Sequence, residues 1–396
     1  MSTSPRGNPD MEQFFATCPR GLEGVLGEEL TALGAQDVRP VDGGTGFRGP
    51  YALCYRINLE SRIASRVLWR IGHCRYRDEN DIYAAARKLR WGQWFSANET
   101  IRVETAAIKS PLQSIDFVTL RVKDAVCDVL RETEGKRPDV DTRAPDVRIH
   151  LFLTRDEAVF YLDTSGDPLF KRGWRIATGE APLRENLAAG ILKLAGWTPE
   201  QPLLDPMCGS GTFLIEAALM AMQRAPGVNR RFGFEKLRNF DRKAWETLRE
   251  QVAAQENISI KTSIYGYDRS GDAIAQTRQN VAALGLESRI ELKQCSFEDS
   301  KPPTASGVLI TNPPYGVRLE ELDDLAAWYP KLGDILKQRY AGWTAYILTA
   351  DLRIAKLMRL QPSRRTPLFN GALECRLFKY EIVTGSHRRE TSTRPD

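Results

Sequence analysis

The run Leu203-Leu204-Asp205-Pro206-Met207-Cys208-Gly209-Ser210-Gly211-Thr212 constrains this chain more than any other. It reads as a short apolar strand, a glycine turn and the start of an apolar helix. Gly209 and Gly211 let the backbone approach a ligand closely, and the helix opening near Thr212 offers N–H groups without an intrahelical partner. The turn is not a nucleotide P-loop, because no Lys-Ser/Thr follows the last glycine. A plain tight turn is the other reading.

Strands and helices alternate after it. Strands are expected over 263–267, 289–293, 307–312, 343–349 and, antiparallel, 374–383, with helices over 212–223 and 271–284. Such alternation gives a doubly wound α/β sheet, in which ligands sit beyond the carboxyl ends of the strands. Asp268 ends the second strand, where a carboxylate can accept both hydroxyls of a ribose. Residues 224–257 exceed an ordinary connection. Carrying Arg230, Arg231, Phe232, Phe234, Lys236, Arg238 and Trp245, they read as an insertion with its own helix and as a candidate RNA contact surface.

The fourth strand ends in Asn312-Pro313-Pro314-Tyr315. Two prolines remove two N–H donors and fix two φ angles, and each residue before a proline is pushed to extended geometry. The turn presents an amide side chain, backbone carbonyls and a flat ring. It suits a planar amino group and the ring that carries it. A proline-rich strand end that only shapes a turn is the bland alternative.

Taken together, 203–212 and 312–315 resemble the first and fourth motifs of the amino-methylating branch of class I S-adenosylmethionine (SAM) methyltransferases. The resemblance implies SAM as cofactor, its methionine end surrounded by Asp205, Met207, Cys208, Gly209, Ser210, Gly211 and Thr212. It implies Asp268, with Arg269 beside it, at the ribose, and Ser296 and Phe297 facing the adenine. Residues 181–189 look like the family's helix entering the domain, which puts Pro182 near the cofactor. Asn312, Pro313, Pro314 and Tyr315 become the catalytic group, Asn312 also bordering the cofactor. An exocyclic amine is a poor nucleophile, because its lone pair is delocalised into the ring. The Asn312 side-chain oxygen and the Pro313 carbonyl can accept its N–H groups and aim the lone pair at the methyl, so positioning supplies much of the rate. No covalent nucleophile or metal is needed.

The first 175 residues mix strands and helices in an α+β pattern. They resemble a ferredoxin-like subdomain (12–65) followed by a THUMP RNA-binding domain (66–175), ahead of the methyltransferase domain (176–384). The likeness rests on a hairpin of strands 147–153 and 158–163 followed by Lys171-Arg172-Gly173-Trp174-Arg175, and on its place in the chain. Guanidinium groups there would contact phosphates and rings would stack on unpaired bases. The alternative is a linker with a core tryptophan. Arg62, Arg66 and Arg70 recur every four residues, as on one helix face, either solvated or against RNA. The polar ends, 1–11 and 385–396, read as disordered.

A net charge of +5 allows a nucleic-acid partner without demanding one. Seven scattered cysteines without a Cys-x-x-Cys pair, and three dispersed histidines, argue for reduced thiols and against a metal centre. No apolar run suits a signal peptide or a membrane span, so a cytoplasmic protein without a membrane partner is expected. The resemblance extends to the bacterial THUMP family that methylates guanine N2 in 23S ribosomal RNA. This chain would be a stand-alone form, lacking the second methyltransferase domain of longer members. Guanine N2 of tRNA is the nearest alternative. Release-factor glutamine-N5 methylation, DNA adenine-N6 methylation and non-catalytic SAM-responsive RNA binding are further ones.

Overall fold

A computed structural model describes residues 11–176, 183–314 and 319–383, without the side chains of 319–325. Pro182, Tyr315, residues 1–10 and the tail at 385–396 lie outside the described residues. The chain divides into two compact units: Met1–Arg175 with Glu185–Gly190 and Met222–Ile258, and Ile176–Arg184 with Ile191–Ala221 and Ser259–Asp396. No helix among the described residues is long and apolar enough to cross a membrane.

The first unit contains β1 (Glu12–Thr17), α1 (Glu23–Ala32), β2 (Gln36–Val41), β3 (Gly44–Gly49), α2 (Leu53–Glu60), β4 (Arg66–Arg75), α3 (Glu79–Lys88), β5 (Ile101–Ala107), α4 (Ile115–Glu134), β6 (Val147–Leu153) and β7 (Glu157–Asp163). Local chemistry sets the ends of α4: the Ser114 hydroxyl accepts from the Phe117 N–H, and Gly135 stops the helix at φ +74°. The seven strands form one sheet, ordered β2-β3-β1-β4-β7-β6-β5. Its pivot is β4, whose residues 66–69 pair with β1 and whose residues 68–75 pair with β7. The ferredoxin-like and THUMP strands therefore share one continuous sheet.

That pivot overturns the helical reading of Arg62, Arg66 and Arg70. Val67, Leu68 and Trp69 are buried in succession, as in a strand covered on both faces, and this outweighs the four-residue spacing of the arginines. Arg66 pairs with buried Asp163 and donates to the Gly166 carbonyl at 2.6 Å. Arg70 donates to Gln13 Oε1 at 2.9 Å, and Arg62 to the Arg224 carbonyl at 2.7 Å. Burial alone would raise the Asp163 pKa, but His150, 3.6 Å away, and the Arg66 charge hold it below the ordinary value.

The segment 222–258, with α7 (Arg242–Ala253), also packs in this unit. Phe232, Phe234 and Trp245 are buried, with Phe234 4.6 Å from the Tyr55 ring and 5.1 Å from the Trp245 ring. Arg238 donates to the Gly92 carbonyl at 2.7 Å and to Glu134 at 2.9 Å, and Lys236 meets Asp146 at 2.9 Å. The aromatic residues of the expected RNA surface are therefore core, while Arg238 and Lys236 stay half-exposed in ion pairs. The same holds for the cluster before the second unit. Trp174 is buried, and Arg172, 3% exposed, donates to the carbonyls of Leu169 at 2.8 Å and Arg62 at 2.6 Å. Trp174 is thus a core residue, while Lys171 keeps its side chain exposed.

The chain passes to the second unit within α5 (Glu185–Leu194). There follow β8 (Leu203–Asp205), α6 (Thr212–Ala221), β9 (Ile264–Asp268), α8 (Gly271–Ala282), β10 (Ile290–Gln294), β11 (Gly307–Thr311), α9 (Leu319–Arg339), β12 (Trp343–Thr349), α10 (Ile354–Leu357), β13 (Arg364–Asn370) and β14 (Leu373–Glu381). The sheet order is β10-β9-β8-β11-β12-β14-β13. The first five strands are parallel, and β14 and β13 close the edge antiparallel. Only one of those two last strands is expected from the sequence. β13 is an edge strand carrying Pro367 and exposed arginines, so it lacks the apolar alternation that announces a strand. Strand order reverses between β8 and β11, which opens a crevice at their carboxyl ends. Leu309, Tyr329, Tyr340, Trp343 and Ile347 form the core beneath.

Candidate active site

Leu203 and Leu204 are fully buried in β8, and Asp205 sits at its carboxyl end, 3% exposed. The turn that follows needs its glycines. Gly209 has φ +54° and Gly211 φ +82°, and a Cβ on Gly211 would fall 2.6 Å from Thr277 Cγ2. Hydrogen bonds brace the turn from several directions. The Cys208 N–H donates to the Tyr267 carbonyl at 2.9 Å, and the Gly209 N–H to Asp268 Oδ2 at 3.0 Å. Thr277 Oγ1 donates to the Gly209 carbonyl at 2.7 Å, and Asn280 Nδ2 to the Ser210 carbonyl at 3.1 Å.

Thr277 and Asn280, both fully buried on α8, are not singled out by the sequence. Polar side chains on an amphipathic helix normally face water, and only burial reveals these two. The one available signal is their spacing of three, which puts them on a single face.

Two carboxylates face this turn. Burial pushes the Asp205 carboxyl up to about 7; the Met207 N–H opposes the shift and the Asp268 charge adds to it. The other oxygen of Asp268 accepts from the Ser270 N–H at 2.9 Å. Burial, then the Asp205 charge, pushes the Cys208 thiol well up, so it is no thiolate nucleophile. Arg269 is exposed.

After β10, Ser296 Oγ donates to Asp299 Oδ2 at 2.7 Å. Phe297 is 3% exposed and its ring stacks on Tyr340 with centroids 5.9 Å apart. Its ring therefore belongs to the core and presents no free face, while Ser296 is half-buried.

β11 pairs with β8, Leu309 opposite Leu204. Asn312 follows at the carboxyl edge that also carries Asp205 and Asp268. Its side-chain oxygen is buried with no hydrogen-bond partner among the described residues. A buried acceptor left in that state calls for a functional explanation. Pro313 is buried beside it and Pro314 is exposed. A glycine cradle at a helix start, two carboxylates and a buried acceptor without a partner among the described residues fit a nucleoside ligand with a cationic centre, as SAM is.

A parallel sheet with a reversed hairpin at one edge, a glycine turn after its first strand, an acid ending its second and Asn-Pro-Pro after its fourth define a class I methyltransferase. The family profile described as RMKL-like, methyltransferase domain, matches residues 172–379. A THUMP domain profile matches 76–163 and an RlmL ferredoxin-like domain profile 13–68. The chain is 39% identical over 370 residues to slr0064 of Synechocystis sp., covering 93% of this chain and 96% of that protein. It is 40% identical over 382 residues to ribosomal RNA large subunit methyltransferase K/L of Syntrophotalea carbinolica, covering 94% of this chain but 54% of that one. The chain thus spans about half the length of the K/L relatives it matches. The crystal structure of SMU.472 complexed with SAH superposes with a TM-score of 0.85 at 31% identity, over 96% of this chain and 100% of that one. The chain belongs to the RMKL-like family of SAM-dependent methyltransferases, and the expected order of ferredoxin-like, THUMP and Rossmann-like modules is borne out.

Proposed function

We propose that this chain methylates the exocyclic N2 amine of a guanine in large-subunit ribosomal RNA. The observation that carries the reading is the buried Asn312 side-chain oxygen at the end of β11, which has no hydrogen-bond partner among the described residues. The names of the K/L relatives support the choice of RNA. When bound, SAM supplies an electrophilic methyl on a sulfonium.

The chain's own residues do the rest. Asp268 holds the ribose hydroxyls, Arg269 lies beside it, and the turn Met207–Thr212 takes the methionine end with Asp205. Ser296 borders the adenine, with Phe297 as the fixed floor beneath it, and the family resemblance assigns Pro182 to the same ligand. Asn312 Oδ1 and the Pro313 carbonyl accept the two N–H groups of the amine and turn its lone pair toward the methyl. Pro314 stiffens the turn, and the Tyr315 ring is proposed as the stacking partner of the base. Asn312 Oδ1 and the Pro313 carbonyl would stabilise the positive charge that builds on the amine as it takes the methyl, and its extra proton would leave to water. The base must be unpaired or flipped to arrive there, and the THUMP-containing unit grips the surrounding RNA.

Nucleoside mass spectrometry of ribosomal RNA and tRNA from cells with and without the gene tests this. Loss of N2-methylguanosine from large-subunit RNA is expected. Loss confined to tRNA, or of a different nucleoside, overturns the substrate assignment.

A further inference from the structure

We infer that a cleft in the first unit, between residues 228–231 and α7, is a docking site for a phosphodiester of the RNA substrate. The inference rests on the proposed RNA methylation and deepens it by locating a contact distant in sequence from the THUMP strands. The cleft has a volume of about 220 Å³, and its polar lining is Asn229, Arg230, Arg231, Glu235 and Arg249, with Trp245.

Its charges are unusual for the segment that bears them. Arg238 and Lys236 are spent on internal pairs. Arg231 keeps its side chain 88% exposed while touching Glu235 at 2.8 Å. Arg249 lies over the Trp245 ring at 5.8 Å and makes no ion pair among the described residues. Arg230 donates through its two Nη groups to three carbonyls, of Pro168 and Asp167, each at 2.6 Å, and of Lys171 at 2.5 Å, so it acts as a fixed charge rather than as a free fork. Its Nε is buried with no acceptor among the described residues. Burial and then the Arg172 charge lower the Arg230 pKa to about 10, so it remains a cation at neutral pH.

The cleft therefore gathers three guanidinium groups against one acid. Glu235 is itself committed, accepting the Phe232 N–H at 2.9 Å. Planar guanidinium forks match the oxygens of a phosphate in pairs. The Trp245 ring, 5.8 Å from the Arg249 guanidinium carbon, lies within cation–π reach of it. Two exposed guanidinium groups in one recess, with the buried Arg230 cation behind them, suit the anionic backbone of an RNA strand.

The test is binding of a 23S ribosomal RNA transcript to the full chain across a salt series. The variants are Arg231→Gln and Arg249→Gln, with Lys337→Gln as an exposed, charge-matched control in the second unit. Each phosphate contact contributes about 0.7–0.9 to the slope of log affinity against log salt. Each cleft variant should flatten that slope by about one unit and weaken binding several-fold at low salt, with SAM affinity and Tm unchanged. The control should leave the slope intact. If the wild-type chain binds RNA and the cleft variants keep its slope, the docking site is wrong while the methylation reading stands. An equal loss with Lys337→Gln means diffuse charge and also overturns the site. Weakened binding of inorganic phosphate with RNA binding unchanged overturns the RNA assignment of the cleft. A wild-type chain that does not bind RNA overturns both readings.

Discussion

The Gly209 N–H donates to Asp268 Oδ2 at 3.0 Å, tying the glycine turn of β8 to the end of β9. One carboxylate thus shapes the cradle and, on the proposed reading, receives the ribose. Asp268→Ala should weaken SAM binding roughly 10- to 100-fold, since a hydrogen bond to a charged group is worth about 1.5–3 kcal/mol. Asp268→Asn keeps an acceptor for Gly209 and should lose less. Calorimetry with SAM measures both, and equal affinity in all three proteins would remove Asp268 from the site.

Asn312→Ala should slow single-turnover methyl transfer by at least about 100-fold, as expected when a reacting group loses its positioning. SAM affinity and Tm should barely move. If Asn312 only shapes the turn, the pattern inverts, with a lowered Tm and a normal transfer rate.

Asp205 gives a pH signature. Its carboxyl is raised from 3.8 to about 7 by burial first. Between those values the folded chain holds a proton that the unfolded chain has lost. Stability from this group is therefore present at low pH and falls as pH rises toward 7, by at most about 1.4 kcal/mol for each pH step of one. Asp205→Asn removes the dependence, so its Tm relative to wild type should be highest near pH 8 and lowest near pH 4. Parallel melting curves across that range would contradict the assignment.

Gly211→Ala should lower Tm by several degrees and abolish SAM binding. A left-handed φ costs a non-glycine residue about 1–2 kcal/mol, and the new Cβ would meet Thr277 Cγ2 at 2.6 Å. Thr277→Ser deletes that methyl and keeps the hydroxyl that braces Gly209. The double variant should recover part of the Tm loss, whereas a clash elsewhere would give no recovery.

A chain shortened to begin near residue 178 should not behave as a clean methyltransferase domain. Phe234 and Trp245 would lose the Tyr55 ring against which they pack. Aggregation, or binding of a hydrophobic dye, is expected. A monodisperse, SAM-binding product would show that segment 222–258 does not depend on the first unit.

Much of the second unit is legible because strand, glycine turn and helix follow one another in the sequence. Leu203–Asp205 and Trp343–Thr349 appear with the expected bounds. What escapes is whatever depends on burial across the chain. Arg66 reads as a surface cation until Asp163, far along the chain, is seen to neutralise it. Thr277 and Asn280 look solvated until the turn of β8 is laid against them. Phe297 is expected at the adenine because it follows a strand, but the pairing with Tyr340 that claims its ring is invisible in local sequence. Cations of 224–257 look like one RNA surface, yet only their partners distinguish Arg238, used internally, from Arg249.

The packing of Phe234 and Trp245 against Tyr55 also dictates an order of events during synthesis. Domains usually fold as soon as their last residue leaves the ribosome, at about 5–20 residues per second. Here the sheet of the first unit is complete at Asp163, but its aromatic core waits until residue 258 has emerged. For a time on the order of ten seconds, a finished sheet stands with the Tyr55 surface uncovered while the glycine turn of the next unit is already being made. That interval is when the nascent chain most needs a chaperone.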